Sequence, residues 1–529
     1  MSAEEIMENG EKVVRLAKPV KKGLLHLVFS RFFVFVLLLA AQVVLFAAIY
    51  IWFAESMHIF LYAQWIFAFL MILYLFNCDM DSSAKLTWML VISIVPTLGA
   101  MLLLWTQLNF GHRTLTEQAK EQIDKTKGIL EQPEDVVRQV ENDGSGTDDL
   151  SKYLNNSGCY PLYDKTKVTY FDIGEKKFEA MLEQMEKAEK FIFMEYFIVE
   201  EGYMWDRLLD ILIRKAKEGV DVRVMYDGMC EISNLPHGYF KLLEAEGIKA
   251  KAFSPIRPFV SSHYNYRDHR KILAIDGKVA FNGGVNLADE YINRVERFGH
   301  WKDTAVMLEG EAAKSFTLLF LQMWNLGNSD AEYEEFLTGP CDVPEDASGY
   351  VIPYGDSPLD EYKAGEAMYV DVLNRANDYV HIMTPYLILD DELINALIYA
   401  AQRGIDVKII LPGIPDKKLA YALAKRHYKT LTAAGVKMYE YTPGFVHAKV
   451  FVSDDIKGIV GTINLDYRSL YHHFECATYM YKTDCIPDIE KDFQATLSAC
   501  REVTEETIKN EKFSLKVLGV FAKMISPLI

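Results

Sequence analysis

One long stretch of this sequence is written twice. AEKFIFMEYFIVEEGYMWDRLLDILIRKAKEGVDVRVMYDG, from Ala188 to Gly228, is echoed by ANDYVHIMTPYLILDDELINALIYAAQRGIDVKIILPG, from Ala376 to Gly413. Each copy opens on an apolar strand, FIFMEYF or VHIMTPYL. A helix of 3.6-residue apolar period follows, carrying Leu208, Leu209, Leu212 and Ala216 in the first copy. Each helix stops at a glycine, Gly219 or Gly404, where a positive φ is expected. A second strand begins at once, VDVRVMYDG or IDVKIILPG. This β-helix-β alternation predicts parallel strands covered by helices. Both copies then continue into a further helix (YFKLLEAEG; YKTLTAAG) and another strand. The chain reads as one α/β unit used twice, two α/β/α halves related by a pseudo-twofold axis.

Beyond each copy stands the same polar triplet. HRKILAID (His269 to Asp276) and HAKVFVSD (His447 to Asp454) both read His, one residue, Lys, four residues, Asp. A single such pattern arises by chance on the order of a few per cent of the time and two roughly a thousandth, so coincidence is a poor account. In a strand, residues two apart face one side, so His269 projects with Lys271 and His447 with Lys449. Asp276-Gly277 forms a two-residue hairpin turn, with VAFNGG returning beside the first strand. Asp276 and Asp454, members of the candidate catalytic triplets, are expected to hold these hairpins more than to touch a substrate. Small residues follow in both copies, GGVN ending at Asn286 and GTIN ending at Asn464, and they let backbone and an asparagine approach a ligand closely.

An imidazole beside an ammonium suits a phosphate. Lysine supplies charge for the non-bridging oxygens, and histidine serves as nucleophile or general acid near neutral pH. Two such pairs meeting at one site divide the labour: one histidine attacks phosphorus and the other protonates the leaving oxygen. The second ring nitrogen of each needs an acceptor. The candidates are Asp303 in HWKDTAVMLEG and Glu475 in HHFECATYMY, 34 and 28 residues beyond the histidine of their own half. His263, His300, His381, His472 and His473 read as packing or surface residues. A metal site made of these histidines and acids is the weaker fit, because protonated lysine is a poor ligand and already carries the charge a divalent ion would bring to phosphate. No P-loop or GxGxxG is present, and no cofactor is expected.

Three apolar stretches crowd the N-terminal part. Phe32 to Phe53 has one polar residue and is long enough to span a bilayer, Ile59 to Phe76 is almost as long, and Leu86 to Trp105 is interrupted by Pro96 and Gly99. The first is apolar all round, unlike a helix on a soluble core, and too much chain precedes it for a cleaved signal. Arg15, Lys18, Lys21, Lys22 and Arg31 flank it without an acid, which predicts a cytoplasmic N-terminus. Three crossings would set the following domain outside; two crossings plus a re-entrant third segment would keep it inside. A multi-pass protein of the cell membrane is expected. The net charge of −18 argues against a nucleic-acid partner. Seven scattered cysteines without a CxxC pair indicate no disulfide framework and no zinc site. The tail FSLKVLGVFAKMISPLI places Val517, Leu518, Phe521, Met524, Ile525 and Leu528 on one helical face, as an interfacial helix does and as a helix docked on the core also does.

The paired triplet resembles the HKD motifs of the phospholipase D superfamily. Within it the chain is similar to the bacterial cardiolipin synthases, through DSSAKLTWMLVISIVPTLG, NGGVNLADEYI with FGHWKDTAVMLEG, TPYLILDDELINAL, GFVHAKVFVSD, GTINLDYRSLYHHFE and the closing SPLI. The resemblance implies metal-free phosphatidyl transfer between two phosphatidylglycerol molecules through a phosphatidyl-histidine, giving cardiolipin and glycerol. It implies His269 as nucleophile, His447 as general acid, Lys271, Lys449, Asn286 and Asn464 on phosphate, and Asp303 and Glu475 orienting the rings. The same residues would serve a hydrolase or a synthase using phosphatidylethanolamine; a membrane-tethered nuclease or a non-catalytic scaffold fits less well. The expected organisation is a basic flank (1–31), two or three transmembrane segments (32–106), a juxtamembrane helix and linker (107–157), two phospholipase D-like halves (158–340 and 341–511) and an amphipathic tail (512–529). Oligomeric state is not legible.

Overall fold

The computed structural model describes residues 4–8, 11–16, 40, 44, 47–48, 57–107, 110–141, 143–255, 266–328, 331, 333–339 and 341–525. Two large sheets organise it, and their strand orders match position by position. The first runs Thr166–Phe171, Ala305–Gly310, Val279–Gly283, Lys271–Ile275, Phe191–Tyr196, Asp221–Asp227, Lys249–Phe253. The second runs Tyr350–Asp356, His473–Tyr481, Lys457–Gly461, Val450–Ser453, Tyr379–Met383, Asp406–Pro412, Lys437–Tyr441, and adds Cys500–Glu502 at its edge. In each sheet the strands of the repeated β-helix-β unit pair in parallel. The first strand of each His-Lys-Asp hairpin pairs antiparallel with the opening strand of its repeat, and the two strands of each hairpin pair antiparallel with one another. The sheets are therefore mixed, because a hairpin turn reverses the chain where a crossover helix does not.

Both hairpins turn in the same way. Asp276 and Gly277 have φ of 54° and 67°, and Asp454 and Asp455 both have 56°. Two successive positive φ values make the turn whose twist matches the flanking strands. Aspartate tolerates that region better than most residues, so the second hairpin manages without a glycine.

One hydrophobic core spans both halves, and a second lies almost wholly within the first. Helix Ala313–Trp324 is buried at every position but Lys314. Its Phe320 stacks on Phe193 of the first sheet at 4.8 Å between centroids, and its Leu319 lies against Gly355 of the second. Fully burying one such side chain contributes roughly 1.5–3 kcal/mol, so this helix is a principal joint between the halves.

Residues 4–16, read from the sequence as part of a basic flank, do more than flank. Glu4–Glu8 and Glu11–Arg15 form a two-stranded hairpin, Leu16 is buried against the first half, and Arg15 Nε donates to the buried Asp206 Oδ2 at 2.7 Å.

The transmembrane expectation meets a different picture. Phe32 to Phe53 lies, apart from four positions, outside the described residues. Among the described residues no helix is long and apolar enough to cross a membrane. Met57–Asn77 comes nearest: it has 21 residues, and Trp65, Ile66 and Phe69 on it are exposed. The third apolar segment is not one helix. It divides into Ser82–Ile94 and Pro96–Gln107, each roughly 20 Å long or less against about 30 Å of hydrocarbon. Proline disfavours helical backbone at the residue before it, and Val95 accordingly leaves the helix at φ −134°, ψ 69°. The bend is tight enough that a Cβ at Gly99 would stand 3.0 Å from Ile92 Cα. The tail helix Phe513–Ile525 packs on Lys418–Ala433, with Gly519 against the Ala422 carbonyl. Its outer side leaves Phe513 and Phe521 exposed.

Candidate active site

Two short parallel strand pairs build the site. Arg267 and Asp268 run beside His473 and Phe474; His300, Trp301 and Lys302 run beside Gly444, Phe445 and Val446. One step further along the first pairing brings His269 to Glu475, and one step along the second brings His447 to Asp303. The backbone continues the match, His269 N–H donating to the Phe474 carbonyl at 2.9 Å and His447 N–H to that of Lys302 at 2.7 Å.

The side chains follow. His269 Nδ1 lies 2.8 and 2.9 Å from the two Glu475 oxygens, and His447 Nδ1 lies 2.7 Å from Asp303 Oδ2. The expectation that each acid serves the histidine of its own half is thus corrected. The strand carrying each acid pairs with the strand leading into the opposite motif, so each half supplies the acid that contacts the other's imidazole.

All four charged partners are buried in one place. Lys271 Nζ donates to the His269 carbonyl; Lys449 Nζ donates to the His447 carbonyl and stands 2.9 Å from its Nδ1. Burial brings Lys271 down to about 8 and Lys449 to about 7. Burial, then Lys271, His473, Lys449 and His447, hold the His269 imidazole well below its ordinary range. His447 is pushed down to about 4 by burial and by Lys449, against the pull of Asp303. Burial alone would raise Asp303, but His447, Lys449 and the Thr304 N–H keep its carboxyl below the ordinary value. Glu475 goes the other way, well above its usual range, because burial outweighs Lys271 and the Thr462 hydroxyl. Burial thus favours the neutral form of both imidazoles before a ligand enters.

The remaining sequence candidates divide. Asn286 is buried, with Oδ1 accepting from Ile198 N–H at 3.1 Å and Nδ2 donating to Tyr291 Oη at 2.9 Å. Asn464 is buried with Oδ1 unpaired among the described residues. Asp276 and Asp454, carried in the candidate catalytic triplets, point elsewhere. Asp276 stands five residues beyond Lys271, roughly 17 Å along the strand. Its carboxylate accepts from the N–H groups of Glu189, Lys190 and Phe191 at 2.8, 2.8 and 2.7 Å. Asp454 does the same with Asn377, Asp378 and Tyr379 at 2.9, 3.0 and 2.9 Å. Both fasten a hairpin to the first strand of its repeat.

Two residues of the site escaped the sequence reading. The Thr462 hydroxyl donates to Glu475 Oε2, whereas at the matching Gly284 a Cβ would overlap Asp303 Oδ1. The contrast of GT with GG is the visible trace: one carboxylate is held by a hydroxyl, the other needs the space. His473, read as packing or surface, stands with its ring centroid 5.3 Å from that of His269. Around His447 the neighbours are aromatic instead, Tyr291 and Trp301 each at 5.4 Å.

A family model described as cardiolipin synthase, PLD-like domain, matches residues 181–324 and 369–497. An uncharacterized protein of Streptococcus mutans serotype c is 58% identical over 458 residues, covering 87% of this chain and 99% of its own. The cardiolipin synthase of Alkalihalophilus pseudofirmus is 31% identical over 84% of this chain and 88% of its own. Among solved structures, the phosphatidylserine synthase of Haemophilus influenzae Rd KW20 superposes with a TM-score of 0.57 at 15% identity, over 72% of this chain and 99% of that one, a likeness of fold. Fold and site define a phosphatidyltransferase of phospholipase D type. The chain belongs to the cardiolipin synthase family of that superfamily.

Proposed function

We propose that this enzyme joins two phosphatidylglycerol molecules into cardiolipin and releases glycerol. The observation that carries the reading is the crossed clamp, His269 held by Glu475 and His447 by Asp303, which gives two imidazoles fixed ring orientations across one interface. His269 Nε2 attacks the phosphorus of the first lipid while His447, protonated, hands its proton to the departing glycerol oxygen. That leaves a phosphatidyl-histidine and a neutral His447. The hydroxyl of a second phosphatidylglycerol gives its proton to His447 and displaces His269, and the enzyme returns to its starting state. Lys271 and Lys449 offset the phosphate charge, a part a divalent ion plays elsewhere, and Asn286 and Asn464 complete the phosphate site. The incoming diester is an anion, and its charge favours the imidazolium form of His447 that the first step needs. One diester is exchanged for another, so no nucleotide is required.

A membrane setting agrees with this substrate. Exposed Trp65, Ile66 and Phe69 on Met57–Asn77, and Phe513 and Phe521 on the tail helix, present apolar surface at two places. The Arg15–Asp206 contact supports an N-terminus on the same side as the catalytic halves, hence an even number of crossings, and the basic flank makes that side cytoplasmic. The test is product analysis with labelled phosphatidylglycerol as sole substrate. Cardiolipin with equimolar glycerol is expected; phosphatidic acid in its place would make the enzyme a hydrolase.

A further inference from the structure

We propose that His473 is a third imidazole of the reaction centre, donating a hydrogen bond to a non-bridging oxygen of the phosphodiester beside His269. This rests on reading the site as a phosphodiester-transfer centre and adds a substrate contact that neither motif contains.

His473 opens the strand His473–Tyr481. Side chains two apart share a face, so His473 and Glu475 project together toward His269. The ring is 7% exposed, and neither of its nitrogens has a hydrogen-bond partner among the described residues. Glu475 Oε1 stands 3.7 Å from its Nδ1, beyond hydrogen-bond reach. Leaving such a group unsatisfied is costly, and an imidazole always keeps at least one donor or acceptor to satisfy. Phe197 packs against both rings, at 4.8 Å from His269 and 6.3 Å from His473 between centroids, which fixes them side by side. A bound ligand is the partner this geometry calls for.

Its charge follows from the surroundings. His269, His473 and Glu475 offer ligand atoms within 4.8 Å of one another, close enough for a metal ion. A cation there would meet the Lys271 ammonium, which donates to the His269 carbonyl beside it. After burial, Arg468, His472, Lys271 and Arg267 all push the proton off His473, so the local potential is positive and favours an anion. A neutral imidazole N–H adds a hydrogen bond without adding charge. Position selects the oxygen: in an in-line displacement, nucleophile and leaving group lie on opposite sides of phosphorus. A donor beside the nucleophile reaches an equatorial oxygen and not the departing glycerol.

The test is equilibrium dialysis of labelled inorganic phosphate against the full chain in detergent. His473→Phe keeps the ring and removes the donor; His473→Asn keeps a donor. Wild-type protein should bind saturably, the phenylalanine variant about tenfold or more weakly, and the asparagine variant within a few-fold of wild type. Equal affinity of the phenylalanine variant and wild type would overturn the proposal, and so would failure of asparagine to restore binding. Failure to form cardiolipin is read separately in the lipid products and would leave phosphate binding intact.

Discussion

His269 takes its carboxylate from the other half of the chain: Glu475, 206 residues away, stands 2.8 Å from its Nδ1. In the proposed mechanism a carboxylate there fixes which nitrogen carries the proton and leaves Nε2 free to attack. Glu475→Gln keeps the size but lets the amide donate, which favours the wrong tautomer. Turnover should fall by about 10² to 10⁴, as expected when a ring-orienting acid is neutralised, with the unfolding midpoint little changed. Full activity in this variant would remove Glu475 from the machinery.

The roles of the two histidines separate when the leaving group needs no acid. With a phosphatidyl ester of p-nitrophenol, the first displacement proceeds without proton donation, whereas the second still needs a base. His447→Asn should therefore release about one equivalent of nitrophenol in a burst and retain a covalent lipid adduct on His269. His269→Asn should give no burst. The opposite pattern would exchange the two roles.

The repeat, the paired triplets and the two acids that contact the histidines were legible because each leaves a local pattern. The crossing of the acids was not. It depends on parallel pairings of two and three residues, too short to show a period, between segments far apart in the chain. The bend at Pro96 and Gly99 was signalled by the residues themselves, whereas His473 carries no signal: only tertiary packing decides that it is buried beside His269.

Asp276 tests the difference between a residue of the motif and a residue of the chemistry. Its three N–H donors are partly open to solvent, so water replaces some of what Asp276→Ala removes. A loss of about 1–3 kcal/mol in unfolding free energy is expected, with kcat within about tenfold of wild type for the folded fraction. Abolition of turnover at unchanged stability would instead place the carboxylate in the reaction.

The Arg15–Asp206 pair makes a statement about topology. A chain that crosses a bilayer between these two groups must do so an even number of times for them to meet. In sealed right-side-out vesicles, an N-terminal epitope tag and a tag in the loop near Glu345 should both resist external protease and both become sensitive after detergent. Cleavage of one alone would contradict the pairing.

His427 links the tail helix to pH. It is buried on Lys418–Ala433, and burial, with Lys523 and Arg426 nearby, brings it down to about 4 from an ordinary 6.5. The unfolded chain takes up this proton first as pH falls. Stability from a neutral His427 is therefore complete above pH 6.5 and drains away between 6.5 and 4, by on the order of 3 kcal/mol in all. Lys523 sits on the tail helix itself, so protonation should loosen that helix before the sheets unfold. Amide hydrogen exchange within Phe513–Ile525, measured from pH 7 to 4.5 and divided by the intrinsic rate at each pH, should rise as the pH falls. His427→Gln should flatten that profile, and identical profiles in the two proteins would show that another group carries the proton.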